Sequence, residues 1–207
     1  FNQAIYSHKT GRLREAESIY KKMIDAGTSD PAVFCNLAIL CKNSGRIDEA
    51  LEHYTQALAF EPDDPQIYSN IGNLYRDIGK LDQALRFTLK SLDLDHESST
   101  CQMNLGSIYR DLGETDEALT ATVKAIELDE GNIKALQNLK SIASDIKINE
   151  SNRDYARKAY KLLLNCNDFS HHKLCQLFIQ DYLNDIETAT KVDSIISDSN
   201  QAFYRLA

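Results

Sequence analysis

The chain has 207 residues, 43% hydrophobic and 26% charged, with only 8 Gly and 3 Pro; this leans helical and excludes disorder, collagen and a disulfide-stapled miniprotein. Its 23 Lys and Arg stand against 31 Asp and Glu, a net charge of −8, which makes nucleic acid and anionic lipid poor partners because phosphate is repelled. No apolar run approaches the roughly 18 residues of a membrane span, and five cysteines without a CxxC pair fit a reducing, cytoplasmic setting better than disulfides or a thiolate zinc site.

The sequence repeats itself. Gly11, Gly45, Gly79 and Gly113 are spaced 34 residues apart, each followed five residues later by an alanine (Ala16, Ala50, Ala84, Ala118) and preceded by a small residue (Ala4, Ala38, Gly72, Gly106). A fixed period of this length is the signature of a stacked-repeat architecture. Within a period the apolar residues recur at helical spacing: Phe34, Leu37, Ala38 and Cys41 form one stripe, and Ile47, Ala50, Leu51, Tyr54 and Leu58 the next. The glycine between the stripes suits a left-handed turn closing the first helix. Asp48, Asp82 and Asp116 then favour the N-terminus of the second helix. Asp63-Asp64 and Asp129-Glu130 fall between periods, where they are expected to cap the following helix.

In chain order the pairs occupy 1–30, 31–64, 65–98 and 99–132. A divergent pair follows over 133–166: Lys147 stands where a glycine is due, and Ala156 lies 38 residues after Ala118 rather than 34. A longer connection around Lys147 to Asn152 accounts for the slip, with helices expected over 132–146 and 153–165. The extension 167–207 carries a possible sixth pair, with Leu174, Leu177, Phe178, Tyr182 and Leu183 on one stripe and Ile186, Ala189, Val192, Ile195 and Ile196 on the other. The start at Phe1 rather than Met is expected of a piece of a longer protein.

The segment Phe34-x2-Leu37-Ala38-x2-Cys41, followed by Ala50-x3-Tyr54 and Pro62, resembles a tetratricopeptide repeat. The next copy keeps Tyr68-x2-Ile71-Gly72-x2-Tyr75 and Ala84 but has Thr88 and His96 in place of the late aromatic and proline. The third keeps Leu105-Gly106-x2-Tyr109 and Ala118, with Gln102, Thr122 and Glu130 as departures, and no Trp occurs. The resemblance covers residues 1 to about 146. It implies an all-α, right-handed α-solenoid of stacked helix pairs whose first helices line a concave face.

On that face one column is asparagine throughout: Asn2, Asn36, Asn70, Asn104 and Asn138. An amide both donates and accepts, so such a ladder suits the backbone of an extended peptide. Helices recurring at roughly 10 Å would meet about every third peptide unit of a strand rising about 3.3 Å per residue. The ladder resembles the asparagine-lined superhelix of O-GlcNAc transferases. The competing reading is that these residues serve only solubility or bonds between repeats. Beside the ladder run a mostly basic row, His8, Lys42, Arg76 and Arg110, and an acidic row, Asp77, Asp111 and Asp145. The basic row suits acidic partner groups; equally, the two rows suit ion pairs between adjacent helices. The candidate peptide-binding set is the five ladder residues with Asn73, Lys42, Arg76, Arg110, Asp77 and Asp111. A carboxylate clamp for chaperone tails is not expected, because Thr100 and Asn104 stand where its third-repeat basic residues belong.

No catalytic constellation is legible. His171-His172-x2-Cys175 is at most a fragment of a metal site, there is no phosphate loop, GxSxG or HExxH, and Asn149-Glu150-Ser151 is an idle glycosylation pattern in a cytoplasmic chain. No cofactor or metal is expected. The sequence therefore reads as a non-catalytic module for a protein or peptide partner. Two alternatives stand beside it: the targeting region of a larger glycosyl- or sulfotransferase, and a scaffold whose partner is another copy of itself, a homo-oligomer.

Overall fold

A computed structural model describes residues 1–143, 145–146, 148–149 and 151–164; the expected sixth pair and the His171/Cys175 fragment lie outside these. The described residues form ten α-helices and no strand. They are α1 (Asn2–Lys9), α2 (Leu13–Asp25), α3 (Pro31–Asn43), α4 (Ile47–Phe60), α5 (Pro65–Asp77), α6 (Leu81–Leu94), α7 (Ser99–Leu112), α8 (Thr115–Leu128), α9 (Ile133–Ile142) and α10 (Arg153–Leu164). Each odd-numbered helix from α1 to α7 packs mainly on its successor, and each such hairpin stacks on the next. The result is an α-solenoid of helix pairs.

The repeated residues explain the repeated shape. Asp30 accepts a hydrogen bond from Ala32 N at 2.9 Å and Asp64 from Gln66 N at 2.7 Å. In both cases proline follows at the first helical position, where no N–H is needed. Ser98 and Asn132 cap α7 and α9 at the equivalent places. The cap of α9 is thus Asn132, not the Asp129-Glu130 pair, whose Asp129 instead accepts from Gly131 N within the preceding turn. Gly45 closes the α3–α4 turn at φ +76°, a left-handed conformation that a side chain disfavours.

Between the helices of a pair, small residues set the approach. Ala4 and Ala38 are fully buried, as are Tyr20 and Tyr54 of the second helices; in the next two pairs the corresponding residues are Gly72 with Thr88 and Gly106 with Thr122. A β-carbon on Gly72 would lie 2.4 Å from Thr88 Oγ1 and 3.3 Å from the Ala84 carbonyl oxygen, and Gly106 is equally tight against Thr122 and Ala118. The aromatic wedge of the first pairs is therefore traded for direct helix contact in the later ones.

The buried pattern survives the four-residue slip, since Ala156 and Tyr160 are buried as Ala50 and Tyr54 are, but α10 packs on α8 rather than forming a close hairpin with α9. The long α9–α10 connection is tied to the solenoid by the Asp116 carboxylate, which accepts from Asn149 Nδ2 at 2.9 Å and Asn152 Nδ2 at 2.5 Å. Asn149 Oδ1 in turn accepts from the backbone of Ser151 and Asn152, so its amide is a structural knot.

Candidate functional site: a polar cleft along the first helices

A cleft of about 370 Å³ runs across the first helices of four successive pairs. Lys42 of α3, Asn73, Arg76 and Asp77 of α5, Met103, Asn104, Ser107 and Arg110 of α7, and Lys134, Gln137 and Asn138 of α9 line it. These residues share one side because each helix presents the face away from its own hairpin partner, while the alanines and leucines of the stripe face inward. The sequence columns thus place Lys42, Asn73, Arg76, Asp77, Asn104, Arg110 and Asn138 in one site. Asn2, Asn36 and Asn70 are not among its lining residues. Lys134, Gln137, Met103 and Ser107 are lining residues that the sequence columns did not single out.

The asparagine ladder is regular in sequence and irregular in contact. Asn36 turns back on its own helix, donating to Ala32 O at 2.8 Å, and Asn70 accepts from Gln66 Nε2 at 3.2 Å. Asn104 is buried and donates to Ser69 Oγ at 3.1 Å, 35 residues upstream on α5. Asn138 is also buried, but donates to Thr122 Oγ1 at 3.1 Å on α8 and accepts from Arg110 Nη1 at 2.6 Å. The neighbours explain the divergence. Thirty-five residues before Asn138 stands Met103, which offers no hydroxyl, and before Asn70 stands Cys35. Only Asn104 finds a serine there. The column therefore mixes amides that knit repeats together with amides that stay at the surface.

The charged rows interlock across the repeat steps. Lys42 Nζ lies 2.6 Å from Asp77 Oδ2, and Arg76 Nε lies 2.7 Å from Asp111 Oδ2. Arg110 grips the other oxygen of Asp111 at 3.1 Å through Nη2. Burial raises the Asp111 carboxyl, but its hydrogen bonds to Arg76 and Arg110 outweigh that and hold it below the usual carboxylate range. Arg76 uses only its Nε in this contact, and Lys134 is exposed with no acidic partner among the described residues.

No group of three or more metal-ligating side chains clusters among the described residues. Burial, with Asp64, Glu61 and Asp30 adding repulsion, pushes the Cys35 thiol up to about 12, so it stays protonated at neutral pH. No described helix is long and apolar enough to cross a membrane.

Against known proteins, the TPR repeat profile matches residues 40–79, and the tetratricopeptide repeat profile matches 65–97 and 99–132. Tetratricopeptide repeats are matched over residues 40–97 and 99–132. No curated protein matches it in sequence. Among solved structures the array is similar to MamA, with 19% identity over 80% of this chain and 97% of that one at a TM-score of 0.63. MamA of Desulfovibrio magneticus superposes at 0.62, with 18% identity over 86% and 93%. YrrB, a TPR protein with an unusual peptide-binding site, superposes at 0.57, with 18% identity over 84% and 88%. At these identities the likeness is one of fold.

Proposed function

We propose that this array is a non-catalytic protein-interaction module that holds an extended stretch of a partner polypeptide in the cleft. The observation that carries the reading is the make-up of that cleft: only first helices line it, and its lining is polar apart from Met103. Amides and ion-paired side chains of this kind satisfy a peptide backbone, which brings an N–H and a C=O at every residue. The cleft is built by stacked, capped helices, so the partner rather than the receptor loses most of the entropy on binding. The peptide-binding site that YrrB is described as having is consistent with such a use of the fold.

Within this reading the ladder has two roles. Asn104 and Asn138 set the floor by tying neighbouring helices together, while Asn73, Lys42, Arg76 and Asp77 supply groups that meet the partner. The test is selection from a phage-displayed library of random dodecamers on the protein. Selected peptides should lose binding to a Gln137→Trp variant, whose indole fills the cleft, and keep it with Leu89→Trp on the second helix α6. Peptides indifferent to Gln137→Trp, or no selected peptide at all, would sink the reading.

A further inference from the structure

We infer that the cleft selects an acidic segment, with side-chain carboxylates of the partner met separately by the terminal guanidinium nitrogens of Arg76 and by the ammonium of Lys134. This rests on the peptide-groove reading above and assigns the chemistry of its ligand.

The chain carries a net charge of −8, yet the cleft is lined by four cations, Lys42, Arg76, Arg110 and Lys134, against one carboxylate, Asp77. Asp111 at its edge adds a second. The internal pairing uses these unequally. Lys42 is taken by Asp77. All three guanidinium nitrogens of Arg110 are engaged: Nε and Nη2 bond to Asp111, and Nη1 to Asn138 at 2.6 Å and to Ser141 Oγ at 3.2 Å. Arg76 gives only Nε to Asp111 at 2.7 Å, so Nη1 and Nη2 have no acceptor among the described residues. Lys134 has no acidic partner there either, although it stands one helical turn before Asn138, which Arg110 holds.

Two cations are therefore left over in a concave site, and one of them is already oriented. The bond from Arg76 Nε to Asp111 fixes the guanidinium plane, and a planar fork with free terminal N–H groups is the donor arrangement that carboxylates accept in pairs. Two uncompensated cations in a concave site also attract anions more strongly than the same charges spread on a convex surface. A long polyanion such as nucleic acid gains this local attraction but meets the net negative charge of the rest of the array. A peptide with one or two acidic residues meets only the cleft. The amides of Asn73 and Gln137, also lining it, are placed for the flanking backbone.

The dodecamer selection tests this when the sequences of the selected peptides are read. Phage display with the peptide at the N-terminus of the coat protein offers no free C-terminal carboxylate, so any acid preference comes from side chains. Asp and Glu should be at least twofold enriched over the unselected library. A selected peptide, synthesised with a C-terminal amide, should lose about tenfold in affinity, about 1.4 kcal/mol, when its acids become Asn and Gln. It should lose a similar factor with Lys134→Gln, which is exposed and keeps the fold, and with Arg76→Gln. Selected peptides without acid enrichment that still lose binding to Gln137→Trp would overturn the inference and leave the groove reading standing. If nothing is selected, both fall. If a peptide binds only when its acid is replaced by phosphoserine, the subsite is one for phosphate and the carboxylate assignment is overturned.

Discussion

Arg76 donates to Asp111 at 2.7 Å across the step from one repeat to the next, and Lys42 meets Asp77 in the same way one repeat earlier. The acid lies 35 residues beyond its base in both cases, one more than the period, so the 34-residue repeat places the same pair at these two successive steps. The rows of charge thus brace the cleft while leaving part of Arg76 unused.

The Asp111 pair gives a pH signature. Its folded-state pKa lies below that of the unfolded chain, so the stability it contributes is present above the unfolded value of about 4 and is lost as pH falls through the folded value. Asp111→Asn should destabilise by roughly 0.5–1 kcal/mol at pH 7, the range of partly exposed pairs. That difference should shrink towards zero at pH 3. Thermal unfolding of both proteins at the two pH values checks this; an equal difference at both would mean that the carboxylate charge is not the cause.

Thr88 and Thr122 occupy the same position in successive second helices, yet only Thr122 Oγ1 has a partner, the Asn138 amide. The buried Thr88 hydroxyl has none among the described residues. Thr88→Val should therefore be neutral or stabilising by up to about 1 kcal/mol, whereas Thr122→Val strands Asn138 and should cost about 1–2 kcal/mol. Urea unfolding of the two variants gives opposite signs on this account, and equal losses would contradict it.

Two kinds of glycine should separate by cost. At Gly45 an added β-carbon meets nothing within 4 Å, so Gly45→Ala should cost only the strain of φ +76°, about 1 kcal/mol. At Gly72 it meets Thr88 and the α6 backbone, so Gly72→Ala should cost more, about 2–3 kcal/mol. Thr88→Ala in the same chain should recover part of that loss. Denaturant midpoints of the single and double variants measure it; no recovery would place the clash with the Ala84 carbonyl instead.

Asp116 carries the long α9–α10 connection. Asp116→Ala leaves the Asn149 and Asn152 amides without their acceptor, and Asn152 is buried. A loss of about 1–3 kcal/mol is expected, with hydrogen exchange accelerated first in α10. Uniform acceleration across α3 to α8 would show that the connection is not a local dock.

The helix pairs α1 to α8 were legible because period, turn glycine and capping residue are encoded at fixed offsets, and following Ala118 to Ala156 leads to the buried face of α10. The candidate cleft was legible only where it followed a column. Lys42, Arg76 and Arg110 were found that way, but the next residue in their column is Ser144, so it does not lead to Lys134. Gln137 belongs to a column that reads Cys35, Ser69 and Met103, with no shared chemistry to notice. The asparagine column misled in the other direction. Repetition in sequence suggested equal roles, whereas the partner of each amide depends on whether Ser69, Met103 or Cys35 lies 35 residues before it.

The most direct test of the peptide cleft is an amide NMR titration of the array with a selected, C-terminally amidated peptide. The account predicts saturable shifts concentrated at Asn73, Arg76, Lys134 and Gln137 on the first helices, with α4, α6 and α8 largely unmoved. Shifts centred on those second helices would contradict it.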